Sequence, residues 1–237
     1  MQCKIILVRP RDPNNIGAVA RAMKNFGFLQ LFVLAPYPPV WSEVVSAVNA
    51  EDVLTNARVV DSLVEAISDC NLVIGTTDRT RVEEKQAFYT PADLSHELRG
   101  QLYQLALVFG PEKHGLTNDD LSHCHRVMSI PTRPDCPSMN LGQSVAVCLY
   151  ELVREIQQTD RETRLSDAAT AGATETALHL MIDVLRVIDF VLPGNEHDLT
   201  LKLRYTLQRL NLTEYETGML CGILKRIKRE RETRESF

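Results

Sequence analysis

Three short groups of residues in this chain combine polar side chains with glycines in patterns that suit ligand binding and group transfer. Residues 14–27 carry two neighbouring asparagines and an arginine, residues 110–116 carry a glutamate in a turn bounded by glycines, and residues 138–140 carry a serine and an asparagine. Arginine, carboxylate and amide side chains can hold and orient a polar substrate. The glycine-bounded turn follows a predicted strand, and ligands of α/β proteins bind at the carboxyl ends of such strands.

Several common nucleotide and hydrolase sites are excluded by the sequence. None of the 11 glycines forms a Gly-x-Gly pair, so the dinucleotide-binding loop is absent. Residues 110–117 have the glycine spacing of a nucleoside-triphosphate loop, but Leu116 stands where the lysine is needed and Pro111 removes a backbone donor. No Gly-x-Ser-x-Gly elbow occurs either. The three polar groups therefore serve another chemistry.

Each polar group also has a purely structural interpretation. Apolar residues at helical spacing place Arg21 on a face away from the buried stripe, where most arginines are only solvated. Asn14 or Asn15 suits the N-cap of that helix, and Ser138 suits the N-cap of a later helix. Residue types alone leave both interpretations open.

The pattern of elements around these groups predicts an α/β fold. The first 158 residues alternate short apolar runs with helical patterns, which is typical of a mostly parallel sheet with helices on both faces. The predicted strands are 4–8, 29–34, 72–76, 105–109 and 127–130. The predicted helices of this part are 15–26, 41–56, 61–69, 91–99, 117–123 and 138–158.

The sequence divides into a domain over residues 1–158, a linker over 159–175 and a small helical extension over 176–237. The linker begins with a charged segment and continues into an Ala/Thr/Gly-rich one. Beyond residue 158 we expect helices and no strand.

The charge distribution suits a polyanionic partner bound by local patches. The formal net charge is −5, so the chain as a whole does not attract polyanions. Residues 225–234 nevertheless hold six basic and two acidic side chains, which could equally be a solvated helix. A second cluster near the amino terminus contains Arg9, Arg11, Arg21 and Lys24 against Asp12.

Cysteine use and hydropathy predict a cytoplasmic protein without a metal. Six cysteines are scattered without a Cys-x-x-Cys pair, which indicates free thiols in a reducing compartment. The run 123–125 (His-Cys-His) lacks the spacing of converging zinc ligands. No apolar stretch reaches the ~18 residues of a membrane span, and the first residues resemble a strand rather than a signal peptide.

Taken in order, the three polar groups resemble the motifs of the SpoU-type RNA ribose methyltransferases of the SPOUT superfamily. The family pattern is Asn-x-Gly-x-x-x-Arg with a following Phe-Gly, then Phe-Gly-x-Glu-x-x-Gly-Leu, then Ile-Pro and Ser-Leu-Asn at the last helix. The matching residues are Asn15, Gly17, Arg21, Phe26, Gly27, Gly110, Glu112, Gly115, Leu116, Ile130, Pro131, Ser138 and Asn140. Met139 replaces the usual leucine and conserves its volume.

The resemblance implies a trefoil-knotted domain that binds S-adenosylmethionine, acts on RNA rather than DNA, and forms a homodimer. It implies that the methyl donor is held by Thr76, Thr77, Asp78, Gly110, Ile130, Ser138 and Met139. It implies that catalysis involves Arg21, Asn15, Glu112 and Asn140. Arg21 would act near the donor of the other subunit and hold an RNA phosphate that accepts the proton, because a guanidinium with a pKa above ~12 is a poor base.

The arrangement is most similar to the subfamily that methylates a 2′-hydroxyl in the tRNA anticodon loop, at a cytidine or uridine in position 32. Residues 72–81 and the helical extension carry this finer resemblance. Two alternatives stay open: ribosomal RNA as the substrate of the same reaction, and a non-catalytic RNA-binding module with the same fold. The retained polar residues of the three motifs favour an enzyme.

Overall fold

The computed structural model describes residues 2–36, 49–77, 88–98, 101–156, 164–165, 167–191 and 195–235. The strands are β1 (Gln2–Val8), β2 (Gln30–Leu34), β3 (Arg58–Val60), β4 (Leu72–Thr76), β5 (Phe88–Tyr89), β6 (Gln101–Leu102), β7 (Gln104–Phe109), β8 (Arg126–Met128) and β9 (Arg164–Leu165). The helices are α1 (Pro13–Asn25), α2 (Glu51–Thr55), α3 (Leu63–Ile67), α4 (Pro91–Glu97), α5 (Asn118–Ser122), α6 (Leu141–Ile156), α7 (Ala171–Val187), α8 (Glu196–Leu210) and α9 (Glu214–Glu235).

A seven-stranded sheet in the order β3-β2-β1-β7-β4-β8-β5 forms the centre of the molecule. Every neighbouring pair in it is parallel. Successive side chains of a strand point to opposite faces, so β1 contributes Ile5 and Leu7 to one apolar core and Ile6 and Val8 to another. Helices α1, α4 and α6 cover the first core, and α3 and α5 cover the second. The prediction of an α/β fold with helices on both faces is confirmed.

The strand order brings distant parts of the chain together at one edge. β7 lies between β1 and β4, and β8 lies between β4 and β5, although both inserted strands come later in the sequence than their neighbours. Because the strands are parallel, the segments that follow β1, β4, β7 and β8 all begin at the same edge of the sheet. All three polar groups of the sequence lie in or next to these segments.

Helices α1 and α6 pack unusually closely on the first face. A Cβ atom placed on Gly142 would lie 2.6 Å from the Cβ of Ala18, which is closer than two non-bonded carbon atoms can approach. Glycine at the start of α6 therefore permits the contact with α1. This contact matters for the polar groups because α1 carries Asn15 and Arg21 while α6 follows Asn140.

The carboxyl-terminal helices pack against the second face of the sheet. The backbone N–H of Ala171 donates to the carbonyl of Cys70 over 2.6 Å, and Ala171 belongs to the same buried cluster as the strands. α7 and α8 also share a small core of their own, centred on Leu178, Ile182 and Leu207. The extension is thus both internally packed and attached to the sheet domain.

A buried ion pair strengthens this attachment. The guanidinium of Arg204 in α8 donates to both carboxylate oxygens of Glu175 in α7, over 2.7 and 3.1 Å. It also donates to the hydroxyl of Ser122 at the end of α5, over 3.1 Å. Arg204 is only 8% exposed, so losing either partner would leave a charge without compensation in a dry environment.

The five predicted strands are confirmed as β1, β2, β4, β7 and β8, with ends within two residues of the prediction. The expectation of no strand after residue 158 is wrong, because β9 pairs with β6. Two-residue strands are too short to leave a periodic pattern. α7 begins at Ala171, within the segment expected to be a linker. Of the predicted helix 41–56, residues 41–48 lie outside the described residues and α2 occupies 51–55.

The cap of α1 also differs from expectation. We predicted Asn14 or Asn15 as the N-cap, but Asp12 has this role, with its Oδ1 accepting the N–H of Asn14 over 2.9 Å. Pro13 occupies the first helical position, where its missing N–H costs nothing. The shift of the cap frees the Asn15 side chain for contacts at the sheet edge.

Among the described residues, no helix combines the length and the apolar character that a membrane crossing requires.

The close approach of α1 and α6 gives a stability prediction. Gly142→Ala should lower the free energy of unfolding by about 1–3 kcal/mol, because the added methyl forces the two helices apart. Gly218→Ala in α9 is the matched control, since a Cβ there meets nothing within 4 Å. It should raise the free energy by about 0.5–1 kcal/mol through helix propensity. Urea denaturation of both variants measures the difference, and equal effects would contradict the tight contact.

Candidate active site

A cleft of about 350 Å³ opens at the carboxyl edge of the sheet, where β4, β7 and β8 end. Its volume lies within the ~300–1,000 Å³ common for small-molecule sites. Six of the seven residues predicted to hold the donor line this one cleft: Thr76, Thr77, Gly110, Ile130, Ser138 and Met139. Asp78 lies outside the described residues. The structure thus brings together residues that are up to 63 positions apart in the sequence.

The loop after β7 forms the sharpest wall of the cleft. A Cβ on Gly110 would lie 2.3 Å from the backbone of Gly115 and Leu116, so only glycine allows the loop to fold back on itself. Gly115 has a φ of +62°, which also favours glycine. The backbone N–H of Gly115 closes the loop by donating to the carbonyl of Pro111 over 2.8 Å, and Leu116 is buried in the second core. These contacts explain the Gly-x-x-x-x-Gly-Leu pattern in geometric terms.

Three of the four predicted catalytic residues form one hydrogen-bond chain beside the cleft. The side-chain amide of Asn15 donates to Oε1 of Glu112 over 2.8 Å. The side-chain amide of Asn140 donates to Oδ1 of Asn15 over 2.7 Å. Glu112 lines the cleft, so the chain connects the cleft wall to α1 and α6.

Asn140 also caps α6. Its Oδ1 accepts the backbone N–H groups of Gly142 and Gln143 over 2.9 and 3.3 Å. Ser138, which we considered as the cap, lies two residues earlier and lines the cleft instead. Because the amide oxygen is occupied by the helix, the amide nitrogen of Asn140 is directed to Asn15.

Arg21 is not part of this cleft. The prediction that Arg21 lies away from the buried stripe of α1 is confirmed. Ile16, Val19 and Met23 of the stripe are fully buried, and Arg21 is exposed. Within the part of the chain that the structure describes, Arg21 makes no hydrogen bond or ion pair. The structure therefore places one predicted catalytic residue outside the cleft formed by its own chain.

Sequence reasoning missed two further residues at this edge. Lys113 lines the cleft, and its place between Glu112 and Gly115 in the second motif was the available signal. Arg9 was counted only as part of a basic cluster, but it pairs with Asp120 in α5 and adopts a φ of +52°. No short-range pattern relates Arg9 to a residue more than a hundred positions away.

The charged and imidazole groups behind the cleft have fixed protonation. Burial raises the pKa of Asp120, but hydrogen bonds from Arg9 and from Thr117 outweigh it, and the net shift is downward. Burial, with a smaller effect of Arg126, lowers the pKa of His125 to about 4. Its neutral Nδ1 accepts the backbone N–H of Val73 in β4 over 3.0 Å. These groups brace the loops that form the cleft and do not titrate near neutral pH.

Comparison with known proteins identifies the family. Residues 2–150 match the model of the SpoU rRNA methylase family, which is more than half of the chain. The chain belongs to this family. The resemblance drawn from the three motifs is therefore confirmed.

Relatives of the SpoU protein match more than nine tenths of its length. It is 35% identical to the tRNA (cytidine/uridine/adenosine-2′-O-)-methyltransferase TrmJ of Pseudomonas aeruginosa, covering 93% of this chain and 91% of that one. It is 32% identical to an uncharacterized tRNA/rRNA methyltransferase of Haemophilus influenzae, covering 95% and 94%. Matches of this extent are not confined to the sheet domain and include most of the carboxyl-terminal helices.

Solved structures support the fold. The crystal structure of TrmJ from Z. mobilis ZM4 superposes with a TM-score of 0.85 at 29% identity, covering 96% of this chain and all of that one. The SpoU methyltransferase AviRb from Streptomyces viridochromogenes, in complex with AdoMet, superposes with a TM-score of 0.51 at 23% identity, covering 66% of this chain and 61% of that one. The SPOUT-type fold is confirmed.

The two roles of Asn140 can be separated by substitution. Asn140→Ala removes the cap and should cost about 1 kcal/mol of unfolding free energy. Asn140→Ser should stay within a few tenths of the wild type, because serine caps helices as well as asparagine. Serine is too short to reach Asn15, so both variants should lose methyl transfer. Chemical denaturation and a methylation assay test this, and a serine variant with wild-type turnover would show that Asn140 only caps α6.

Proposed function

We propose that this SpoU protein is an S-adenosylmethionine-dependent tRNA 2′-O-ribose methyltransferase. The observation that carries the proposal is the single cleft lined by Thr76, Thr77, Gly110, Ile130, Ser138 and Met139, with the Glu112–Asn15–Asn140 chain at its side. The P. aeruginosa relative is a tRNA 2′-O-methyltransferase, which supports tRNA as the substrate.

The cleft suits a methyl donor of this kind. Ile130, Met139 and Leu141 offer apolar surface, and Thr76 and Ser138 offer hydroxyl groups. The loop from Gly110 to Gly115 brings backbone close to the cleft. An adenosine attached to an amino acid needs such a mixture, and it has no pyrophosphate, which fits the missing dinucleotide loop.

The protein residues have mainly to position the acceptor. S-adenosylmethionine supplies a methyl group already activated by a sulfonium, so no nucleophilic side chain is needed. Glu112, Asn15 and Asn140 hold the loop after β7 and the starts of α1 and α6 in register around the acceptor. Alignment of this kind can contribute several kcal/mol, up to ~7–11 in favourable cases.

A homodimer gives Arg21 a place in the reaction. Arg21 does not line the cleft of its own chain but is exposed on α1, next to the α6 contact. In the proposed dimer, the partner subunit's Arg21 reaches the donor cleft and holds an RNA phosphate. That phosphate accepts the proton from the ribose 2′-hydroxyl, because a guanidinium stays protonated.

The proposal includes the domain division and the place of action. Residues 1–158 form the methyltransferase domain, and the helices that follow the 159–175 segment form an extension whose basic residues 225–234 grip tRNA. The methylated nucleotide is the cytidine or uridine at position 32 of the anticodon loop, and the protein acts in the cytoplasm with its tRNA substrate. A solved structure that is 23% identical to this chain concerns 2′-hydroxyl methylation of C/U34 on tRNA. Position 34 is therefore the principal competing target.

Arg21→Ala tests the role across the dimer. Methyl transfer should fall at least about a hundredfold, since misplaced reactants lose that much rate. Affinity for S-adenosylhomocysteine should not change. Lys24→Ala removes another cation of α1, one that is paired with Asp52, and should keep normal turnover. Mixing Arg21→Ala with the donor-cleft variant Gly110→Ala should restore partial activity in heterodimers. Near-normal turnover of Arg21→Ala would show that Arg21 is an exposed arginine without a role in the reaction.

Mapping of 2′-O-methyl groups tests the substrate. In RNA from cells that lack this protein, the methyl group at position 32 of tRNA should disappear, and re-expression should restore it. Loss of the methyl group at position 34 instead would show that position 34, not 32, is the target nucleotide. Loss in ribosomal RNA with unchanged tRNA would contradict tRNA as the substrate.

A further inference from the structure

Most of the described basic side chains of the sheet domain already have a partner. In the described part of residues 2–156, six cations form ion pairs and one stacks on an aromatic ring. The ion pairs are Lys4–Asp69, Arg9–Asp120, Lys24–Asp52, Arg126–Glu97, Arg133–Asp135 and Arg154–Glu151. The stacked cation is Arg58, 5.8 Å from the ring centre of Phe32. Paired charges add little to the field that a distant polyanion experiences.

Three cations of the same described residues have no such partner: Arg11, Arg21 and Lys113. All three are exposed. Arg21 already has a role in the proposed function, so Arg11 and Lys113 are left without one. Among the described residues, neither side chain is held in an ion pair, and both are open to a ligand in solution.

The segments that carry Arg11 and Lys113 contact each other although they are far apart in sequence. The backbone N–H of Asp12, which belongs to the Arg11–Asp12 peptide, lies 3.4 Å from Oε1 of Glu112. Lys113 follows Glu112 directly and lines the cleft. Both cations therefore flank the carboxylate that ends the Glu112–Asn15–Asn140 chain.

The local backbone fixes this arrangement. Arg9 holds its positive φ through its pair with Asp120 and through its N–H, which donates to the carbonyl of Leu34 over 2.8 Å. Pro10 is buried, so the chain turns outward at Arg11 before α1 begins. On the other side, the tight loop closed by Gly115 directs Lys113 to the cleft. Neither cation depends on a flexible segment for its position.

We infer that Arg11 and Lys113 bind RNA phosphates next to the nucleotide whose 2′-oxygen is methylated, and so position that ribose at the mouth of the donor cleft. The inference rests on the proposed function. Phosphate contacts fix the register of a nucleic acid without reading its sequence. A ribose whose adjacent phosphates are held has little freedom left, which is what an in-line transfer requires. Arg11 and Lys113 are thus positioning residues for the acceptor.

The test measures tRNA binding by the full-length chain at several salt concentrations. Arg11→Ala and Lys113→Ala should each reduce the log–log salt slope by roughly 0.7–0.9, because one phosphate contact is lost. Each should also raise the KM for tRNA roughly tenfold. Arg11→Lys and Lys113→Arg should keep the wild-type slope, because they keep the charge.

Lys24→Ala is the matched control, since it removes an exposed cation that is already paired with Asp52. It should leave the slope and the KM unchanged. Affinity for S-adenosylhomocysteine, measured by calorimetry, should be the same in all variants. A structural defect would change donor affinity and slope together, whereas loss of phosphate contacts changes the slope alone.

Two results would overturn the inference. The first is a wild-type slope and KM in both alanine variants. The second is a Lys113→Ala variant that loses donor affinity but keeps the slope, which would assign Lys113 to the donor instead of the RNA. Failure of the wild-type chain to methylate tRNA would reject the proposed function itself, and the salt slopes would still report independently on the two cations.

Discussion

The hydrogen bonds of Asn140 are the constraint on which the candidate site depends. One amide group satisfies the exposed N–H groups at the start of α6 and, through Asn15, reaches Glu112 in the loop after β7. Helices α1 and α6 can share this residue only because Gly142 lets them approach closely. The site is therefore fixed by backbone packing rather than by a rigid set of charged groups. Reactions that need alignment more than proton transfer suit such a site.

The carboxyl-terminal helices are joined to this framework by more than a linker. Arg204 and Glu175 form their ion pair against Ser122, at the end of the short helix α5 that follows the cleft loop. Burial is the largest influence on nearby His123 and lowers its pKa, and the Arg204 charge acts in the same direction. A neutral imidazole here avoids a second positive charge beside the guanidinium. The extension thus completes the second face of the sheet domain while forming a small core of its own.

The sequence allowed the prediction of features with strong local or motif signals. The central strands have continuous apolar runs, and Gly110 and Gly115 bound a segment directly after a predicted strand, so the strands and a turn at this place could be predicted. The lining of the cleft could be predicted residue by residue only through the family resemblance, because Thr76 and Ser138 carry no local sign that they meet. The Asp12 cap has a local signal, an aspartate directly before a proline, which the sequence analysis missed. The two-residue strands and the Arg9–Asp120 pair could not be predicted. Each depends on tertiary contacts that override local propensity.

The ion pairs of the sheet domain help to explain how a chain of net charge −5 can bind RNA. Acidic residues such as Asp69, Asp52 and Glu97 are placed beside basic ones, so most of the described cations of this domain are neutralised within a few ångströms. The described cations of the sheet domain that remain unpaired lie beside Glu112 or on the exposed face of α1. Screening limits each remaining cation to about a Debye length, ~8 Å at physiological salt, so the attraction acts close to the cleft. Cancellation elsewhere therefore directs a polyanion to this edge without requiring a basic protein.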